Sequence, residues 1–472
     1  MSRSLISSDE SRAARGPRNE CTPSEHLQPV RADRSAGARW NANHRGFAMS
    51  TAALSELDSC LPHLARKIRV LDALAWPDGI EQGFLERWRA KRAALPKVEL
   101  QPRKLNAEIA ALEDFIGRCD KGHPAGRYLA MTAHSYATAG RMLGAIGTSD
   151  FTRHSAALYR RPDLKYPGQH LSTLGAAQFF IKTTDALLRS GEISPSPAQI
   201  PAEDFAAWMQ PELDRFFGPG RIAVVLDSTL AAKAIAGVSR IRLSARARFS
   251  ELDKKQLLQH EAFVHVATAQ NGKLQPNLKS MGLGAPRTTQ TQEGIAALAE
   301  LVTGSMDIKR LRRLALRVLA VQQALDGADF VQVFEGFLEA GQSEQESFRS
   351  AQRIFRGTDL KGGSAFTKDA VYLTGLLGVH TLLRVAIRDS RPELIGHLFA
   401  GRLDLGDTLR LAPLFESGWL QKPVYQPAWA EDLRVLAANL AFSALIAQVN
   451  LDVLDLETIE AFADENEVDA GA

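Results

Sequence analysis

Apolar positions recur three and four residues apart over most of this chain, the spacing that gathers them on one face of an α-helix. From about 50 to 218 this predicts helices, starting with LSELDSCLPHLARKIRVLDAL and broken at Trp76-Pro77-Asp78-Gly79, at Gly122-His123-Pro124 and through ALYRRPDLKYPGQH. Next, RIAVVLDS reads as a buried strand, TLAAKAIAG as a short helix closed by Gly237, and VSRIRLSARARF as a second strand. Ser250 with Asp253 three residues on predicts a capped start for the helix ELDKKQLLQHEAFVHVATAQ, ending near Asn271-Gly272. After the loop LQPNLKSMGLGAPR a further helix is expected from about Thr289, in TQTQEGIAALAELVTG, followed by the basic helix IKRLRRLALRVLAVQQAL. Helical patterning then continues to about 463, interrupted by RGTDLKGGSAF and ESGWLQKPVYQPAW. The expected fold class is therefore α+β, predominantly helical, with a small sheet beside the helix that carries HEAFVH.

The two ends lack this patterning. Residues 1–48 are rich in Arg, Ser, Pro, Asn and Gly and are expected to form a disordered extension, with Met49 an alternative start of translation. Asp9, Glu10, Glu20, Glu25 and Asp33 argue against a transit peptide. The acidic stretch 464–472 reads as a solvated tail. Between the ends, 49–218 is expected to be a helical region and 219–463 the part that carries the chemistry.

Composition narrows the function classes. With 472 residues, 45% of them hydrophobic, a large core is available, and a formal charge of +3 offers no electrostatic footprint for nucleic acid or an acidic membrane. The three cysteines, Cys21, Cys60 and Cys119, are far apart and indicate neither a disulfide framework nor a Cys-rich zinc site, so a cytoplasmic protein is expected. Neither a secretory signal nor a continuous apolar run of about 18 residues stands out, and no membrane span is expected. The sequence leaves oligomeric state open.

HEAFVH places His260 and His265 five apart with Glu261 between them. In the metalloprotease motif HExxH the histidines are four apart, about 40° around the helix, and reach one metal together. At a spacing of five, a regular helix would set them about 140° apart, so a shared ion requires a local distortion such as a π-bulge. The bland alternative is a surface His260 and a core His265. A third ligand is available in Glu293, with Glu300 seven residues on as its rival on the same helix face. His134 and His380 lie on apolar helical patterns and read as core histidines.

HEAFVH followed by TQEGIA resembles the QEGLA-motif family typified by the microtubule-associated tyrosine carboxypeptidases, whose bacterial members have been labelled flavohaemoglobin expression-modulating proteins. The resemblance spans roughly 60 to 460, with supporting pieces in RIFRG (353–357) and FTKDAVYLTG (366–375), and departs from the motif in Ile295 where the family name has Leu. Dipeptidyl peptidase III is similar in joining HExxxH to a later glutamate. The resemblance implies a gluzincin-like core, a zinc ion held by His260, His265 and Glu293, and Glu261 as general base. It implies a metallocarboxypeptidase acting on a peptide or protein C-terminus; a non-catalytic metal-binding or regulatory protein is the alternative.

Within that scheme Arg353 and Arg356 could bind the terminal carboxylate, since a guanidinium fork matches it, although a surface ion-pair helix would look the same. Lys368 and Tyr372, four apart, could face the cleft, with the Tyr372 hydroxyl stabilising an oxyanion. The strand VSRIRLSARARF could offer an edge to an extended peptide.

Overall fold

Helices begin where side chains satisfy their free N–H groups. In this computed structural model, which describes residues 50–446 apart from 167–168, 190–196 and 231, Ser50 caps the first helix, Thr51–Ala65, by accepting from the Ala53 amide. Gly79, with φ +83°, precedes Ile80–Arg89, and Pro124 opens Pro124–Gly144, as the breaks in the sequence predict. The expected disordered extension and the acidic tail lie outside the described residues.

The described residues belong to one unit, in which both parts of the chain share cores. Leu54, Leu61, Tyr128, Leu129 and Phe151 of the early helices pack on Leu278, Met281, Phe366 and Leu411, which flank the later site. A second core joins Ile295 and Leu298 of the helix Thr289–Val302 to Leu373, Leu376 and Val379 of Val371–Arg388. Burying each such side chain contributes about 1.5–3 kcal/mol, which holds these helices rigidly together. The stretch Thr367–Arg388 is also long and apolar enough to cross a membrane, a feature the interrupting charges Lys368, Asp369, Arg384 and Arg388 hide in the sequence. Its packing here is that of a core helix.

The sheet corrects two expectations. Its three strands are β1 (Ala223–Asp227), β2 (Ala234–Ala236) and β3 (Arg240–Ser244), in the order β1-β3-β2, with β1 parallel and β2 antiparallel to β3. TLAAKAIAG is not a helix but contains β2: a nine-residue helix nucleates poorly, whereas the turn closed by Gly237 N–H on the Arg240 carbonyl (2.7 Å) folds it back along β3. RIAVVLDS is an edge strand rather than a buried one, with Val225 and Leu226 over a third exposed. VSRIRLSARARF supplies the central strand β3, burying Ile241 and Leu243 against Phe205, Met209 and Leu213 of the helix Ala202–Phe217.

Two histidines also differ from expectation or stand out. His134 is exposed, on the outward stripe of its helix that Arg127 shares seven residues earlier. His397 is buried, stacked on Phe415 at 4.1 Å with its Nδ1 unpartnered, and burial pulls its pKa down to about 4 against the opposing charge of Glu393. In the unfolded chain it protonates near 6.5, so the folded state loses stability as pH falls from about 6.5 towards 4, by about 3 kcal/mol in full. His397→Phe is expected to melt with a smaller difference between pH 7 and pH 5 than the wild type; an equal difference would contradict this.

Candidate metal centre

The helix that carries HEAFVH runs as Glu251–Leu257, then a π-helical segment Leu258–Val266, then Ala267–Leu274. Its start has the expected capping box, Ser250 with Asp253. In a π-helix each N–H reaches back five residues, so residues five apart lie roughly one turn above each other. His260 and His265 therefore share a face, with ring centroids 4.8 Å apart and planes at 85°. Neighbouring side chains bond carbonyls in the widened segment: the Thr268 hydroxyl donates to Val264 O (2.8 Å), and Arg402 Nη2 donates to His265 O (3.2 Å). The helix continues past Gly272 to Leu274 because Gly272 serves close packing, not termination. A Cβ there would lie 2.2 Å from the Gly282 nitrogen.

Glu293 comes from Thr289–Val302, which begins at the expected Thr289 after a short 3-10 turn, Pro286–Thr288. The next residue, Gly294, lies against Gly375 of Val371–Arg388 so closely that a Cβ on Gly294 would meet the Gly375 carbonyl carbon at 2.3 Å. A Cβ on Gly375 would meet the Gln290 carbonyl oxygen at 2.0 Å. The two backbones touch, and that contact sets the height of Glu293. Gln292, on its other side, is hydrogen-bonded to the Thr268 hydroxyl (2.7 Å) and so ties the glutamate helix to the histidine helix. Gly375→Ala is expected to lower stability by about 1–3 kcal/mol and to weaken metal retention by displacing Glu293, read by melting and metal content; a variant matching wild type in both would contradict the contact's role.

The three side chains converge. Glu293 Oε2 lies 3.4 Å from His260 Nε2 and 3.6 Å from His265 Nε2, buried and without a hydrogen bond. One candidate donor atom from each of the three lies within 4.8 Å of the others. Burial opposes charge on Glu293, but the imidazoles and Lys368 hold its carboxyl well below the usual range.

Behind His260, the fully buried Glu300 accepts from Nδ1 (2.7 Å), leaving Nε2 to face Glu293. Glu300 also accepts from Gln256 (3.0 Å) and from Arg310 Nε and Nη2 (3.1 and 3.0 Å). Burial opposes its charge too, yet Arg310 and His260 bring its carboxyl down to about 2. Glu300 thus holds a histidine from behind, and Glu293 is the carboxylate that faces both Nε2 atoms. Glu261, between the histidines, accepts the Ala236 amide of β2 at 2.8 Å.

These groups open onto one cavity of about 580 Å³. Lys368, Tyr372, Arg353 and Arg356 all line it, as do His260, Glu261, His265 and Glu293. Lys368 Nζ lies 3.8 Å from Glu293 Oε1 and 5.6 Å from the Tyr372 ring centroid. The Arg353 fork is already closed on Asp369, through Nε (2.6 Å) and Nη2 (2.8 Å). Arg356 caps the end of its helix in an extended conformation, so the two arginines do not continue one helix face; its Nε is buried without a partner. The edge strand along the cavity is β2, not β3. The β2–β3 ladder uses Lys233 O and Gly237 N–H, and alternation turns the peptide groups of Ala234 and Ala236 away from β3. Arg402, which also lines the cavity, carries no local signal in the sequence: it meets His265 across 137 positions.

Among comparisons with known proteins, curated proteins give no match. A family model described as microtubule-associated tyrosine carboxypeptidase matches residues 83–448, a span that contains the whole histidine helix, Glu293, Glu300 and every cavity-lining residue from Tyr136 to Arg402. Since that span covers well over half of the sequence, the chain belongs to the microtubule-associated tyrosine carboxypeptidase family.

Proposed function

We propose that this protein is a zinc-dependent carboxypeptidase that removes residues from a peptide or protein C-terminus. The observation that carries the reading is the convergence of His260, His265 and Glu293 beside Glu261 on one cavity. Two ligands about 2.0–2.1 Å from a tetrahedral zinc lie roughly 3.4 Å apart, and the distances of 3.4 and 3.6 Å from Glu293 to the imidazoles fit that spacing. The unpartnered Glu293 oxygen and the Nδ1–Glu300 hydrogen bond fit a ligand set with its supporting carboxylate. Bound by these three residues, zinc supplies a positive charge that polarises the scissile carbonyl and acidifies a water.

Glu261 takes the proton from the attacking water and passes it to the leaving amine, in a gluzincin-like division of labour. The Ala236 amide holds its carboxylate towards the cavity. The edge of β2 orients the peptide by main-chain hydrogen bonds. Tyr372 and Lys368 donate to the oxyanion that develops on the attacked carbonyl. Arg353 and Arg356 give their end of the cavity a positive field that draws in an anionic terminus.

The test is digestion of a mixed peptide library by the zinc-loaded protein, read by mass spectrometry. Stepwise loss of single C-terminal residues supports the reading. Internal cuts, or N-terminal trimming, would overturn it.

A further inference from the structure

We infer that Arg402 is the residue that grips the terminal carboxylate of the peptide, an assignment that rests on the carboxypeptidase reading above. Three observations carry it. Arg402 lines the cavity, its guanidinium makes one hydrogen bond, to the His265 carbonyl, and its Nε has no partner. No carboxylate pairs with it among the described residues, whereas Arg353 is closed on Asp369 by two hydrogen bonds. Finally, its position suits the substrate's dimensions.

In a peptide losing its last residue, the terminal carboxylate lies one residue beyond the attacked carbonyl, at most roughly 3.6 Å along the chain. A guanidinium holds a carboxylate at about 2.8 Å. The anchoring cation must therefore stand beside the catalytic groups. Arg402 does so, at 3.2 Å from the backbone of His265, and the charges of Glu261 and Glu293 act on it. The charged neighbours of Arg356 are Arg353 and Asp369. Arg402 reaches this place over Gly284, where a Cβ would come within 2.6 Å of Nη1. Gly284 thereby keeps a path open for the guanidinium, and its carbonyl is fixed by the Tyr136 hydroxyl at 3.0 Å.

The test uses the zinc-loaded full chain with Glu261→Gln to prevent turnover, and calorimetry with a hexapeptide ending in tyrosine and the same peptide as its C-terminal amide. The free acid is expected to bind roughly 10- to 100-fold more tightly than the amide. Arg402→Met is expected to erase that preference, Arg402→Lys to keep part of it, and Gly284→Ala, which moves the guanidinium without removing charge, to reduce it. Arg356→Met removes a field that draws the anion without gripping it, and is expected to lower the ratio much less than Arg402→Met does. Metal content and melting of each variant report whether the fold survives, and if Arg402→Met does not fold, Gly284→Ala decides. A parent preference that survives Arg402→Met, or Gly284→Ala in its stead, overturns the assignment to Arg402 and leaves the carboxypeptidase reading standing. No preference in the parent overturns both.

Discussion

Glu261→Gln is expected to lower peptide turnover by roughly 10²–10⁴-fold while leaving one metal per chain. The amide keeps the size of the carboxylate and an oxygen that can accept the Ala236 amide, so the π-helical segment and β2 have no reason to shift. What it loses is the ability to take a proton. The donor atoms of His260, His265 and Glu293 are untouched by the change. Turnover on a tyrosine-terminated peptide, measured beside metal content, checks this. Turnover within a few-fold of wild type would remove Glu261 as the base.

A second large effect is expected at Glu300, which contacts no substrate. Glu300→Gln leaves the buried Arg310 without its charge partner and leaves His260 Nδ1 with a weaker acceptor. Breaking a buried ion pair by removing one partner costs about 3–5 kcal/mol, and loss of a supporting carboxylate typically lowers metal affinity 10- to 100-fold. Melting of the metal-free protein reads the first effect, and competition with a zinc chelator the second. A variant with wild-type zinc affinity would mean that His260 does not depend on Glu300.

Much of this centre is legible in the sequence, because it is built from local signals. The five-residue spacing of His260 and His265 demands a π distortion if both face one ion, and Leu258–Val266 is π-helical. The capping box at Ser250 and the helix start at Thr289 follow from residue type and periodicity. Glu293 and Glu300 cannot be separated that way, since residues seven apart share a helix face. Arg310, which the return of the next helix brings beside Glu300, pairs with that carboxylate, while Glu293 faces both imidazoles. β2 was hidden because alanine-rich TLAAKAIAG has helical propensity, which the pairing with β3 overrides. Arg402 depends on contacts between distant segments and leaves no trace in local pattern.

His260, His265 and Glu293 are expected to hold one zinc ion on the π-distorted helix. Metal content per chain tests it most directly, by mass spectrometry of wild type, His265→Ala and Glu293→Ala after zinc reconstitution and desalting. About one zinc is expected in the wild type, with a large loss in both variants. A wild type that retains no divalent metal, or variants that retain as much as the wild type, would contradict it.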